Sequence, residues 1–317
     1  MALQDKYINP FTDFGFKKLF GSEPNKDLLI DFLNQVLPVK HQIKDLSYAS
    51  TEKLGNTETD RGAIFDLYCI GENGERFIVE MQKAKQNFFK DRSVYYTSFP
   101  IQEQAKKGDW NYQLAAIYMV GVLDFTFSED EAEQEVRHEV QLKDQNCQVF
   151  YDKLTYIYLE MPNFRKAEAE LQTNFDKWMY VLQQLPNLQN RPQALQERIF
   201  QKLFEAAEIA KFTPEEKNKY EESLKYYRDL KNVVDTSFDD GKAEGKVEGK
   251  AEGKAEGRVE GKAEGKAEGK AEGKAEGKVE GKDERNMEIA RQMKSEGEPM
   301  EKIIRYTGLS KEAIDNI

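Results

Sequence analysis

Two carboxylates in this chain of 317 residues stand where carboxylates are costly. Asp66 lies inside the run 61–70 (RGAIFDLYCI), and Glu80 inside the run 75–82 (ERFIVEMQ), with Gln82 two places further on. Both runs are rich in β-branched and aromatic residues, and the segment 71–74 between them contains two glycines. This pattern predicts a β-hairpin. Alternation puts Ile64, Asp66 and Tyr68 on one face of the first strand, and Ile78, Glu80 and Gln82 on one face of the second. A four-residue turn can bring the two acids onto a common face. Such acids are expensive unless they are paired, hydrogen-bonded or bound to a metal. Hard oxygen donors with open positions are what Mg²⁺ takes while it also holds phosphate oxygens and water. The chemistry this would support is phosphodiester hydrolysis by an activated water. The spacing alone is met equally by strands with one solvated face, on which the acids simply meet water.

Further candidates lie on either side. Asp13 opens a helix and reads as its cap or as a third acid, with Lys17 and Lys18 one turn later, placed for backbone phosphates or for plain solvent. Past the hairpin, the helix predicted over 89–107 carries Arg92 and Tyr96 four residues apart, hence on one side. Tyr95 is expected in the core, and Gln102 and Gln104 lie further along the same helix. Lys83 points away from Gln82 on an ideal strand, whereas Lys85 could return to the site if the strand ends at Gln82. The two histidines, His41 and His138, have no partner at metal-ligand spacing. A histidine-based metal site is not expected.

These residues need elements to hold them. Leu28, Leu29, Phe32, Leu33 and Val36 have the i, i+3, i+4 spacing of a helix with one buried face, closed by Pro38. The run 115–125 (AAIYMVGVLDF) suits a central strand covered on both faces. The runs 138–143 and 154–159 read as further strands, and after Pro162 the texture becomes helical near 165–184, 191–209 and 214–233. The fold class is therefore α/β with a helical appendage. Cys69 and Cys147 make no disulfide framework, and Cys69 sits in a strand where a buried thiol is the ordinary reading. No apolar run is long enough to span a membrane and the first residues lack the order of a signal peptide, so a cytoplasmic protein with no membrane partner is expected. Net charge is −11, of which −10 falls in residues 1–240. A generally basic nucleic-acid coat is excluded; a local basic groove is not.

Residues 241–282 repeat Gly-Lys/Arg-Ala/Val-Glu, with 11 of the chain's 21 glycines. A helix advances about 400° over four residues, so each residue type winds around the axis and leaves no fixed apolar seam. Each interior glycine costs about 1 kcal/mol against alanine, and like charges recur four residues apart. The segment reads as a solvated spacer or as a helix formed only with a partner. In the last stretch, 283–317, Met287, Ala290 and Met293 share a face, and Ser310 is placed to cap a final helix. That stretch suits a small helix-turn-helix-like unit or an association module.

The residues 9–21 (NPFTDFGFKKLFG), Phe65-Asp66, 77–82 (FIVEMQ), Arg92 with Tyr95-Tyr96, 108–112 (GDWNY) and the ending 303–310 (IIRYTGLS) occur in an order that resembles the PD-(D/E)XK nuclease family transposases, also called the recombination-promoting nuclease group. The resemblance implies a restriction-endonuclease-like core, so the chain is expected to divide into that core over 1–165, a helical extension over 166–240, the repeat over 241–282 and the small tail over 283–317. It also implies Asp66 and Glu80 as ligands of Mg²⁺ or another divalent cation, with Gln82 at the place of the signature lysine. Asp66, Glu80 and Gln82 are then the catalytic set, with Asp13, Lys17, Arg92, Tyr96 and Gln104 as accessory candidates. A neutral amide can orient by hydrogen bonds but cannot neutralise charge as a lysine does. The implied function is metal-dependent cleavage of double-stranded DNA, leaving 5′-phosphate and 3′-hydroxyl ends, in recombination or mobile-element activity. The alternatives are a catalytically weak or silent DNA-binding or assembly protein that keeps the fold, and an oligomerising role for the C-terminal arm.

Overall fold

The computed structural model describes residues 5–38, 42–53, 62–105, 108, 110–127 and 134–317. The chain forms two units, Met1–Thr236 and Ser237–Ile317. The first begins with α1 (Asp13–Phe20) and α2 (Lys26–Val36), followed by strands β1 (Leu46–Tyr48), β2 (Glu52–Lys53), β3 (Ala63–Ile64), β4 (Leu67–Gly71) and β5 (Arg76–Gln82). Then come α3 (Phe89–Glu103), β6 (Ile117–Leu123), β7 (Arg137–Lys143), β8 (Val149–Glu160), α4 (Asn174–Gln184), α5 (Arg198–Ala207) and the start of α6 (Pro214–Ser295). Strands β1, β4, β5, β6, β8 and β7 form a six-stranded sheet in that order, and β2 and β3 a separate ribbon. The hairpin β4–β5 is antiparallel, β5, β6 and β8 run parallel, and β7 returns antiparallel to β8.

Period-two patterning sorts the sheet's side chains between two layers. Phe77, Val79, Met81, Tyr118, Val120, Val122, Ile157 and Leu159 share a core with the buried residues of α1, α2, α4 and α5. Ile78, Met119, Leu123, Tyr156 and Tyr158 face the other way, toward Phe89, Tyr96 and Phe99 of α3. β6 is buried at all seven positions, as its unbroken apolar run requires. Trp178 of α4 is fully buried among Phe20, Phe32 and Phe200, and its Nε1–H donates to Asp31 at 2.7 Å. A buried aromatic side chain of this kind stabilises by about 1.5–3 kcal/mol. Through it the helices after Pro162 share one core with the sheet.

Thr12, and not Asp13, caps α1: its Oγ1 accepts from the Gly15 N–H at 3.0 Å. Gly15 is required there, because a Cβ would meet the Asn9 carbonyl at 2.2 Å. The first turns of α6 hold the same segment, with Tyr220 Oη accepting from Asn9 N–H at 2.8 Å and Ser223 Oγ from Phe14 N–H at 3.1 Å.

In the second unit, residues 241–282 are helical within α6 and exposed throughout. Beyond them the end of α6 packs with α7 (Met300–Thr307) and α8 (Lys311–Asp315) around Ala290, Ile303 and Ile314. Gly308 ends α7 with φ 70°, and Ser310 caps α8 by accepting from Ala313 N–H at 3.2 Å, as expected. Among the described residues no helix is long and apolar enough to cross a membrane. His41, Arg61, Lys107 and Asp109 lie outside the described residues.

Candidate active site

The first strand of the expected hairpin is broken at Asp66. β3 ends at Ile64 and pairs with β2, whereas β4 starts at Leu67 and pairs with β5. Side chains replace the main-chain ladder at the break. The Asp66 N–H donates to Glu80 Oε1 at 3.0 Å, and the Met81 N–H donates to Asp66 Oδ2 at 2.7 Å. The pairs Leu67–Val79 and Tyr68–Ile78 set Asp66 opposite Glu80, so the two acids are brought together. Glu80 is only 6% exposed, and lies beside Gly121 of β6, where a Cβ would press on the Tyr158 ring at 3.1 Å.

Burial, then the Asp66 charge, pushes the Glu80 carboxyl up to about 8, against the opposing pull of the Asp66 N–H, Arg92 and Lys17. Asp66 is also raised, first by burial; the Met81 N–H counters this, the Asp13 charge adds to it, and Lys17 and Lys83 oppose it. Two adjacent acids that resist ionisation together are a receptive place for a cation. Among the described residues no three His, Cys, Asp or Glu side chains converge as a metal cluster. His138 stands beside Glu160 instead.

Gln82, at the end of β5, is engaged at both ends of its amide: Nε2–H donates to the Ala84 carbonyl at 2.9 Å and Oε1 accepts from Arg92. Arg92 is in turn held over the rings of Phe89 and Tyr96, at 5.0 and 5.7 Å. Arg92 and Tyr96 thus share a face, but Tyr96 serves as a wall, packed edge-on against Phe65 at 5.2 Å. Tyr95 is exposed and stacks edge-on with Phe99, contrary to its expected place in the core.

Asp13 pairs with Lys17 at 2.9 Å, and both charges act on Asp66. Lys18 turns away to Glu216. Gln104 is not at the site. Its Oε1 accepts from the Ala115 N–H, just before the strand pair that begins at Arg76–Ile117 and ends at Gln82–Leu123. Six residues of strand put it about 20 Å from the acids. Gln102 is exposed near that same end of α3.

Sequence reasoning missed Lys83. The strand does end at Gln82, but the lysine whose charge acts on Asp66 is Lys83, and Lys85 is exposed. Burial lowers the Lys83 ammonium, opposed by the charges of Asp13 and Asp66, and its Nζ lies 5.3 Å from the Tyr226 ring centre of α6. Asp124 was also missed, although it stands next to last in the quoted apolar run. Its N–H donates to the Gln82 carbonyl at 3.0 Å and its carboxylate accepts from Tyr227 Oη–H at 2.8 Å, tying α6 to the strand ends.

A mixed sheet with parallel central strands thus holds two acids clasped across a broken hairpin, with basic side chains whose charges act on them. No curated protein and no solved structure matches the chain. The family model of the PD-(D/E)XK nuclease family transposases matches residues 10–237, which takes in every element of the core from before α1 into α6. The chain belongs to the PD-(D/E)XK nuclease family transposases.

Proposed function

We propose that the chain is a divalent-cation-dependent endonuclease that hydrolyses phosphodiester bonds of double-stranded DNA, in recombination or the movement of genetic elements. The observation that carries this reading is the pair Asp66 and Glu80, mutually clasped, Glu80 buried and Asp66 half-buried, with both carboxyls raised by desolvation. The donor set fits Mg²⁺: two hard carboxylates are available, and the remaining positions can go to main-chain, water and phosphate oxygens. When bound, such a cation polarises the phosphate and acidifies a water.

The chain's own residues do the rest. The main-chain clasp fixes both carboxylates, so neither must be ordered when substrate arrives. Glu80 holds a proton near neutral pH and would have to release it to hold a cation, which would couple affinity to pH. Lys83 stands beside Asp66 with a lowered ammonium, suited to charge developing on a phosphate oxygen. It takes the part that Gln82, engaged by Ala84 and Arg92, leaves open. Lys17, Lys83 and Arg92 form a narrow basic rim on an otherwise acidic body, so DNA contact should be confined there and weaken with salt.

Nicking of supercoiled plasmid, with and without Mg²⁺, by the parent and by Glu80→Gln tests the reading. Equal nicking by both proteins would end it. The committed hydrogen bonds of Gln82 favour a second reading, a DNA-binding protein with weak or no turnover. It predicts salt-sensitive DNA retention without Mg²⁺-dependent cutting.

A further inference from the structure

Strand β7 closes one side of the six-stranded sheet, and among the described residues it pairs with β8 alone. The Glu160 N–H donates to the Val136 carbonyl at 2.8 Å. By the alternation of an antiparallel ladder, residues 136, 138 and 140 turn their main-chain groups toward β8, and Arg137, Glu139 and Gln141 turn theirs outward. The register shifts beyond Gln141, where Leu142 faces Tyr151 and Lys143 faces Val149. The skipped residues belong to β8, so β7 runs on without an insertion and the outward row continues to Lys143. Val140 is 47% and Leu142 51% exposed, and Phe150 near the hairpin tip is 81% exposed. A strand edge with no partner among the described residues and an apolar flank is a template for another strand.

We propose that a second copy of this chain fills this edge, β7 pairing antiparallel with β7 about a two-fold axis through Gln141. Charge selects both the partner and the register. Centred on Gln141, Glu139 of each copy lies opposite Lys143 of the other, and Val140 opposite Leu142. The outward main-chain groups of 139, 141 and 143 then meet those of 143, 141 and 139. Centred on Val140, the strands would set Arg137 against Lys143; centred on Glu139, they would set that carboxylate against itself. Like charges directly opposite are destabilising, so these slips are disfavoured. The contact is isologous and closes at two copies, joining the sheets into one of twelve strands. The proposal is independent of the chemistry assigned to Asp66 and Glu80.

Sedimentation velocity of the full chain over a dilution series tests it, beside Lys143→Glu, the pair Glu139→Lys with Lys143→Glu, and Gln141→Pro. The parent is expected to dimerise reversibly. Lys143→Glu, at an exposed position, should raise the dissociation constant at least about tenfold, and the double reversal, although it also breaks the Arg137–Glu139 pair, should lower it again at least about threefold. Gln141→Pro removes an outward N–H and the side-chain bond from Gln141 Nε2–H to Thr155 Oγ1 but leaves the main-chain bonds to β8 in place, so it should give monomers. A parent that stays monomeric, a dimer indifferent to Lys143→Glu and Gln141→Pro (as one held by the C-terminal arm would be), or a double reversal that fails to restore association would each overturn the proposal.

Discussion

The main-chain amide of Asp66 donates to Glu80 Oε1 at 3.0 Å, while Asp66 returns the contact by accepting from the residue after Glu80 at 2.7 Å. An amide side chain can accept at both places, so Asp66→Asn and Glu80→Gln should keep the fold. Both should lower Mg²⁺-dependent nicking by at least about 100-fold, because a neutral ligand holds a hard cation poorly. Asp66→Ala differs: it strands the buried Met81 N–H and should also cost about 1–3 kcal/mol of stability. Nicking rates and urea midpoints measured on the same preparations separate the two effects.

Without divalent cations, stability should fall with rising pH. Glu80 has a folded value of about 8 against 4.5 in the free residue, so over that window the native state binds more protons than the unfolded chain. The stabilising proton is fully present below the lower value and lost as pH passes the higher one. Asp66, raised for the same first cause, acts with the same sign. Urea midpoints followed through this window should decline for the parent and flatten for Glu80→Gln. A parent midpoint that rises toward pH 8 would contradict the assignment.

Lys83→Gln should slow nicking by about 10–100-fold, the scale of a lost electrostatic contact to the reacting phosphate, while the exposed Lys85→Gln changes it by less than about twofold. Equal effects of the two substitutions would remove Lys83 from its proposed place.

Putting a lysine at the signature position should not help. Gln82→Lys would set an ammonium against the Arg92 guanidinium and discard two hydrogen bonds of a side chain that is 9% exposed. A loss of about 1–3 kcal/mol is expected, with no gain in nicking. A thermal melt and the plasmid assay together check this.

Gln104→Ala should lower stability by about 1 kcal/mol, through the lost bond to the Ala115 N–H, and leave nicking within about twofold. A large loss of activity with an unchanged midpoint would mean that the far end of β5 matters to the reaction.

Periodicity alone determined the hairpin, the buried strand β6, the amphipathic α2 and the capped tail, because each is written in residues close together in the chain. It also set Asp66 and Glu80 across from one another, although alternation does not run through Asp66: Phe65 joins Tyr68 in one layer. The strand break at Asp66 was not legible, because it follows from hydrogen bonds to residues 14 and 15 places away. Thr12 displaced Asp13 as the cap for a local reason, the reach of its Oγ1 to Gly15.

Tertiary structure alone decided which lysine acts on Asp66, and that Gln104 stands apart from the acids. Lys83 points away from Gln82 as alternation has it, and it meets Asp66, Asp13 and Tyr226 because these arrive from three other parts of the chain. A helix of 15 residues spans about 22 Å, so Arg92 and Gln104 of one smooth pattern reach opposite ends of the sheet. Sequence carries the type and phase of each element; the burial that raises Glu80 and lowers Lys83 exists only when distant segments close over them.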